Sequence, residues 1–449
     1  MRKYFTLFLF LILLPVCLMG GGCAEEFRSM FEANKDSYLV AEPGNAESTR
    51  EGVRPVIVIP GIMGTILTYG GEVVWPPVNL NLIRSDMPLS DIVTLTTQLT
   101  RNSAVLRLEA DLSSVYEVIP YQMSPVGKAF ADDRYHIGTL DTYRELCAAA
   151  AETAGENNVF FFGYDWRLDN EENGRMLKAY IESVCKARGV DRVNVVAHSM
   201  GGIVLSCYLK DCLQQKTAPL VDIAVTVGTP FLGSEYAAQV IDGCVDSENL
   251  MDRYFGDELL SLKSIIYSAA RMIKNQVCGL SDNYASVYSL MPFSAYERLG
   301  FVKDGTLTDM ANPAARQAYA LKKALAGQLS AIWRTVRHYN IAGVDIPTLD
   351  YDGTVGTVRG LNRTDTAGGD SAMSGYLEYT DGDGTVTFRS ARADILFSEE
   401  TKTFSASHTG LVDDPACLSY IKALLSPEQD AVSVGSGVSD GAGKEASTR

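Results

Sequence analysis

Histidine is scarce in this chain, with four among 449 residues. Any chemistry that needs an imidazole base therefore has four places to draw on. There is no Cys-x-x-Cys pair and no cysteine–histidine cluster, which excludes the common zinc donor sets. Positive charge is also short, with 39 Lys and Arg against 55 Asp and Glu and a formal net charge of −16. That deficit argues against a nucleic-acid partner and against general attraction to anionic lipid. Hydrophobic residues make up 46% and charged residues 21%, enough apolar material for a sizeable globular core.

One long apolar run occurs, FTLFLFLILLPVCLM, preceded by Arg2 and Lys3 and followed by Gly20, Gly21 and Gly22. It is too short for a comfortable membrane span. A basic start, an apolar centre and small residues at the end make residues 1–22 a signal peptide, so export is expected, either secreted or held at the cell envelope. Cys23 stands where a lipoprotein carries its lipidated first residue, but the usual leucine three places earlier is missing. Ordinary cleavage nearby is the alternative. Seven cysteines follow Cys23, an odd number that cannot all pair internally. Cys147, Cys185 and Cys212 fall among the apolar positions of expected helices, as small hydrophobes do; Cys244 and Cys278 lie outside that pattern and are the best candidates for a bridge.

The most informative stretch is VVAHSMGG, Val195 to Gly202. A β-branched run, RVNVV, leads into a serine flanked by small residues, and the helix-like GGIVLSCYLKDCL follows. That is the layout of a strand–turn–helix elbow that lifts a nucleophilic hydroxyl above a sheet, with Ser199 as the hydroxyl. The sharp turn needs small side chains two residues to either side, supplied by Ala197 and Gly201. An ordinary serine in an ordinary turn is the bland alternative. Earlier, RPVIVIPGIMGT reads as a buried strand running into a glycine-bounded loop, where the Ile62 N–H is placed to face a developing oxyanion.

Apolar spacing and glycine stops specify a helix over Thr139 to Ala154 stopped by Gly155, a strand in VFFFGYDWR, and a helix over Gly174 to Arg188 stopped by Gly189. Strands in RVNVVAHSM, DIAVTVGTP and HYNIAGVD follow, with RADILF as one more. Alternating strands and helices specify an α/β fold with a mostly parallel central sheet and helices on both faces. Residues 23–54 read as a leader and 55–426 as the folded domain. Within it, 79–102 is a candidate lid and 235–337 a cap insertion carrying an apolar stripe of Leu259, Leu262, Ile266, Ala269 and Ile273. The glycine- and serine-rich tail 427–449 reads as disordered.

A serine nucleophile needs a base and the base needs an orienting carboxylate. His198 adjoins the serine, and the turn sends its ring elsewhere, to pack against the elbow. His136 comes too early in the chain and His338 begins a strand, away from the loop end. That leaves His408, in TFSASHTGLVDDP. Asp352, Asp381 and Asp383 all sit in glycine-rich loops between serine and histidine, and the residues alone leave the choice open. DGDG is not a calcium loop, because Arg392 stands where the bidentate glutamate belongs.

The ordered set VIVIPGIMGT, FGYDWRLDN, VVAHSMGGIV, GTPFLGS, SLMPF, DGDGTV and SHTGLV resembles the lecithin:cholesterol acyltransferase family, which includes lysosomal phospholipase-type enzymes, from about Pro55 to Leu425. The resemblance implies an α/β-hydrolase fold, with Ser199 as nucleophile, Asp383 as acid, His408 as base, and Ile62 and Met200 as oxyanion donors. It makes Tyr164 to Arg167 a family marker, with Asp165 and Arg167 as an ion pair supporting the site, and it matches Trp75 and the segment after it to the region of the family's lid. The disulfide that holds that lid in the animal enzymes has no counterpart here. The implied protein is a serine acyl hydrolase or acyltransferase acting on lipid esters, phospholipid or acylglycerol, without metal or cofactor and in transient contact with a membrane or micelle surface. A carboxylesterase for small soluble esters, and a catalytically silent envelope binding protein, are the alternatives.

Overall fold

The computed structural model describes residues 53–75, 97, 98, 100–121, 126, 142–241, 283–351, 377–393 and 396–426. The signal-like start, Cys23, most of the candidate lid, His136, the apolar stripe at 259–273, Cys244, Cys278, Asp352 and the tail lie outside them. Six strands form the central sheet: β1 Val56–Ile59, β2 Val159–Phe161, β3 Val193–His198, β4 Val221–Val227, β5 Arg337–Gly343 and β6 Glu400–Phe404. Their order is β6-β5-β4-β3-β1-β2 and every pairing is parallel. A parallel sheet needs crossovers that cover both its faces, which is why its central strands are continuous apolar runs.

Alternation along each strand divides the core in two. Ile57, Ile59, Phe160, Val193, Val195 and Ala197 point to one side. There they meet Leu177, Tyr180, Ile181 and Val184 of helix α2, Asn170–Arg188, and Val204 and Leu205 of helix α3, Met200–Gln215. Val56, Val58, Val159, Phe161 and Val196 point to the other. That side is covered by Leu146 and Cys147 of helix α1, Arg144–Ala154, and by Leu418 and Ile421 of the C-terminal helix Pro415–Leu425. Cys147, Cys185 and Cys212 are buried free thiols, as their helical positions led one to expect. Gly189 closes α2 with φ 63°, the left-handed conformation that glycine adopts without strain.

Some boundaries differ from the sequence reading. In VFFFGYDWR the strand ends at Phe161, because the chain passes so close to Tyr121 at Gly163 that a Cβ there would lie 2.1 Å from the Tyr121 carbonyl oxygen. The described residues of RADILF carry no strand: Arg392 ends a short helix, Phe388–Arg392, and the sixth strand is Glu400–Phe404. Helix α2 starts four residues before Gly174, at Asn170. An antiparallel ribbon, Ile346–Tyr351 with Leu377–Gly382, was not anticipated. It leaves the sheet after β5 and returns at Gly382, and so delivers Asp383 to the top of the sheet. In the region expected as a cap, the described elements include Ala285–Ser289 and helix Pro313–Ala326. The latter buries Ala314, Ala318 and Leu321 and starts on an Asn312 cap whose side chain accepts the Ala315 N–H at 2.8 Å.

Candidate active site

The site lies beyond the carboxyl ends of the strands, where loops after β1, β3, β5 and β6 converge. Ser199 follows β3 directly and has φ 54° and ψ −127°, a strained conformation for a residue with a side chain. Its N–H is held by the Val227 carbonyl at 2.8 Å. The tight crossing depends on Gly201, where a Cβ would lie 2.6 Å from the Ile59 carbonyl oxygen and 2.7 Å from that of Pro60. Ala197, the other small neighbour, is fully buried.

His408 Nε2 lies 2.9 Å from Ser199 Oγ, and His408 Nδ1 lies 2.7 Å from Asp383 Oδ2. The other oxygen, Asp383 Oδ1, accepts the N–H groups of Thr385 at 2.9 Å and Val386 at 2.7 Å. The backbones are joined as well, with His408 N–H donating to the Asp383 carbonyl at 2.9 Å. Burial by itself would raise the Asp383 pKa. The His408 imidazole and the two amide donors outweigh it, so the carboxyl stays below its usual range. Of the other two aspartates, Asp381 accepts the exposed Asp345 N–H at 2.6 Å, and Asp352 lies outside the described residues.

The loop after β1 runs against the serine. A Cβ on Gly61 would lie 2.8 Å from Ser199 Cβ and 3.2 Å from Ser199 Oγ, and Ile62 is the next residue of that loop. Met200 opens α3, and the first N–H groups of a helix have no intrahelical carbonyl and favour negative charge. Gly61→Ala should push the serine out of line and lower kcat about a hundredfold with little change in melting temperature; steady-state kinetics beside calorimetry checks this, and an unchanged kcat would mean that the loop yields.

Of the three residues expected to support the site, Trp75 contacts the loop beside it, and Asp165 and Arg167 serve a different segment. Trp75 donates its indole N–H to the Met63 carbonyl at 2.9 Å and packs edge-on against Trp166 at 4.9 Å, bracing the loop just beyond Ile62. Asp165 and Arg167 form a buried two-pronged pair at 2.9 and 2.6 Å. The remaining guanidinium donors reach the Leu106 carbonyl at 2.9 Å and Ser114 Oγ at 3.3 Å. The pair thus clamps the 106–114 segment and makes no bond to Ser199, His408 or Asp383.

His198 does pack beside the elbow, and it does more. Its Nδ1 lies 2.9 Å from the Tyr143 hydroxyl and its Nε2 lies 3.0 Å from the His408 carbonyl. Tyr143 lies within the stretch Thr139 to Ala154 that was read as a helix. Its hydroxyl meets long-range partners, Gly61 and His198, that helical spacing does not reveal. His338 sits low in the sheet, stacked on Trp333 at 4.0 Å, with Nδ1 at 2.7 Å from the Phe397 carbonyl.

Burial pushes His198 down to about 3 and His338 down to about 4. Unfolded, both would titrate near 6.5. With folded values depressed, their contribution to stability is complete above about pH 6.5 and is lost as pH falls toward the folded values, at about 1.4 kcal/mol per pH unit for each ring. Asp383 adds a loss in the same direction only once pH drops below about 4, as it falls through the carboxyl's lowered value. Urea unfolding between pH 7.5 and 5 should therefore show stability dropping steadily below 6.5; a flat profile would mean that the buried rings are hydrated or already charged.

Residues 141–295 match the family described as lecithin:cholesterol acyltransferase. The chain is 25% identical to an uncharacterized protein of Saccharomyces cerevisiae over 206 residues, 44% of this chain and 26% of that protein. It is 30% identical to phospholipase A(1) LCAT3 of Arabidopsis thaliana over 105 residues, 23% of this chain and 22% of that one. These alignments span about a quarter of the curated relatives' own length. Among solved structures, the mature form of the lipase BlEst2 of Bacillus licheniformis is 14% identical, covering 86% of this chain and 96% of that chain, with a TM-score of 0.37. The parallel sheet with helices on both faces is that of an α/β hydrolase, and over the segment through the elbow this chain is similar to the lecithin:cholesterol acyltransferase family.

Proposed function

We propose that this protein is an exported serine acyl hydrolase or acyltransferase that cleaves lipid esters through an acyl-enzyme on Ser199. The single observation that carries the reading is the unbroken line from Ser199 Oγ through both nitrogens of His408 to Asp383, at 2.9 and 2.7 Å. His408 Nε2 takes the hydroxyl proton as Ser199 Oγ attacks the ester carbonyl. Asp383 holds the proton on Nδ1 and balances the imidazolium that forms. The N–H groups of Ile62 and Met200 meet the negative charge on the carbonyl oxygen, each worth about 3 kcal/mol of barrier. The imidazolium then gives its proton to the departing alcohol or lysolipid. Water or a second alcohol, deprotonated by the same nitrogen, releases the acyl group.

Lipid as the substrate class is supported by the family and by the description of the Arabidopsis relative as a phospholipase A(1). Export is supported by the signal-like start. No helix among the described residues is long and apolar enough to cross a membrane.

A fluorophosphonate probe on the purified mature protein, followed by peptide mass mapping, tests the reaction class. Modification at Ser199 that disappears in His408→Ala is the expected result. Absence of modification in the folded protein, both alone and with detergent micelles, would overturn the reading. Faster turnover of long-chain phospholipid in vesicles than of short-chain soluble esters is expected in turn, and the opposite order would make the protein a carboxylesterase.

A further inference from the structure

Two buried side chains that the reaction just proposed does not use connect its parts. Gly61 N–H meets the Tyr143 hydroxyl at 2.8 Å, the same hydroxyl meets His198 Nδ1 at 2.9 Å, and His198 Nε2 meets the His408 carbonyl oxygen at 3.0 Å. Both ends of this line have fixed roles, since a peptide N–H only donates and a carbonyl oxygen only accepts. The Tyr143 oxygen must then accept from Gly61 and donate its own proton to His198 Nδ1. His198 must carry its single proton on Nε2 and give it to His408. Only one tautomer of one neutral imidazole completes the line.

We propose that Tyr143 and His198 are positioning residues, whose directed hydrogen-bond chain holds the Gly61–Ile62 loop and the His408 loop in register about Ser199. The inference rests on the triad reading above and goes beyond it. Its geometry has little slack: a Cβ on Gly61 would lie 3.4 Å from His198 Nδ1. The His198 ring lies 4.8 Å from that of His408, and Tyr143 packs edge-on against both His198 and Phe161 at 5.7 Å. Both residues are almost fully buried, so no water competes for these bonds. Burial also keeps His198 uncharged at neutral pH. Were it protonated, Nδ1–H and Gly61 N–H would both donate to Tyr143, and the phenolic proton would lose its acceptor.

The chain's consequence is mechanical. Residues of a functional constellation must be held to within about half an ångström, and here the donor loop and the base come from opposite ends of the sequence. One imidazole fixes the distance between them.

The test begins on the unmodified protein. With four histidines, nitrogen-15 histidine spectra can be assigned by single replacements. His198 should show the Nε2–H neutral tautomer and no titration between pH 5 and 9. A proton on Nδ1, or titration near 6.5, would overturn the proposal, and neither result depends on whether the protein has activity. Kinetics then divides the chain, because a glutamine amide overlays the Nε2 end of an imidazole and an asparagine amide the Nδ1 end. His198→Gln keeps a donor for the His408 carbonyl, whereas His198→Asn keeps only a partner for Tyr143. His198→Asn and Tyr143→Phe should each lower kcat about tenfold or more per probe-titratable serine, with KM within about twofold, and His198→Gln should lose less than His198→Asn.

Equal kcat per titratable serine in all three variants and the parent would overturn the positioning role and leave packing alone. If any variant does not fold, the tautomer measurement decides. Failure of the parent protein to react with the probe would instead remove the triad reading, an outcome separate from the tautomer of His198.

Discussion

Ser199→Ala is expected to lower kcat on a chromogenic ester by about a millionfold and to abolish fluorophosphonate labelling, while the melting temperature stays within a few degrees. The size of the loss follows from what the hydroxyl does. Without it there is no covalent intermediate, and His408 can only assist water in a cleft arranged for a different attacking atom. What rate survives comes from the N–H donors and from binding. Retention of the fold follows from the backbone. The strained φ of 54° at this position is imposed by the strand–helix junction, and alanine experiences it as serine does. The Ser199 N–H bond to Val227 is untouched, and the hydroxyl's partner is the exchangeable His408 Nε2. Activity within tenfold of the parent would remove the elbow from the mechanism, and a collapsed melting temperature would mean that the hydroxyl is structural.

What could be read from the chain was what local pattern encodes. β-branched runs ended by glycine or by the elbow located five of the six sheet strands, because a strand buried on both faces must be apolar throughout. The sixth was sought in RADILF, whose described residues carry no strand. The true strand, ETKTF, has a half-exposed, polar edge pattern that gives no such signal. The antiparallel ribbon that delivers Asp383 was missed for a related reason: its members, IPTLDY and LEYTDG, are separated by 25 residues. Ser199 was visible from the turn's demand for small neighbours, and His408 by elimination among four rings. The acid was not, since three aspartates in glycine-rich loops look alike until the fold brings one of them to Nδ1. Ordered motif resemblance selected Asp383, which lies 2.7 Å from His408 Nδ1. Tyr143 and His198 lay beyond any local pattern, because their partners are 55 to 210 residues away.

Asp383→Asn is the sharper experiment, because it replaces one carboxylate oxygen by an NH₂ group and changes very little else. The carboxylate accepts at both oxygens: Oδ1 from Thr385 and Val386, Oδ2 from His408. An asparagine can keep its carbonyl oxygen toward the two amides only by turning its NH₂ toward His408 Nδ1. Two donors would then face one another. The imidazole resolves the clash by moving its proton to Nε2, and in that tautomer the nitrogen beside Ser199 Oγ can no longer take a proton. The expected cost is about ten-thousandfold in kcat at neutral pH, with KM little changed. Flipping the amide the other way satisfies His408 but sets the NH₂ against the Thr385 and Val386 N–H groups, so a smaller kinetic loss should be accompanied by a lower melting temperature. Asp381→Asn is the matched control: that side chain accepts an exposed N–H from Asp345, and its loss should change kcat by less than about threefold. Asp352→Asn should be similarly mild. If Asp352 or Asp381 proves severe while Asp383→Asn retains activity, the acid role passes to the sensitive residue and the line through His408 would have to re-form in the bound state.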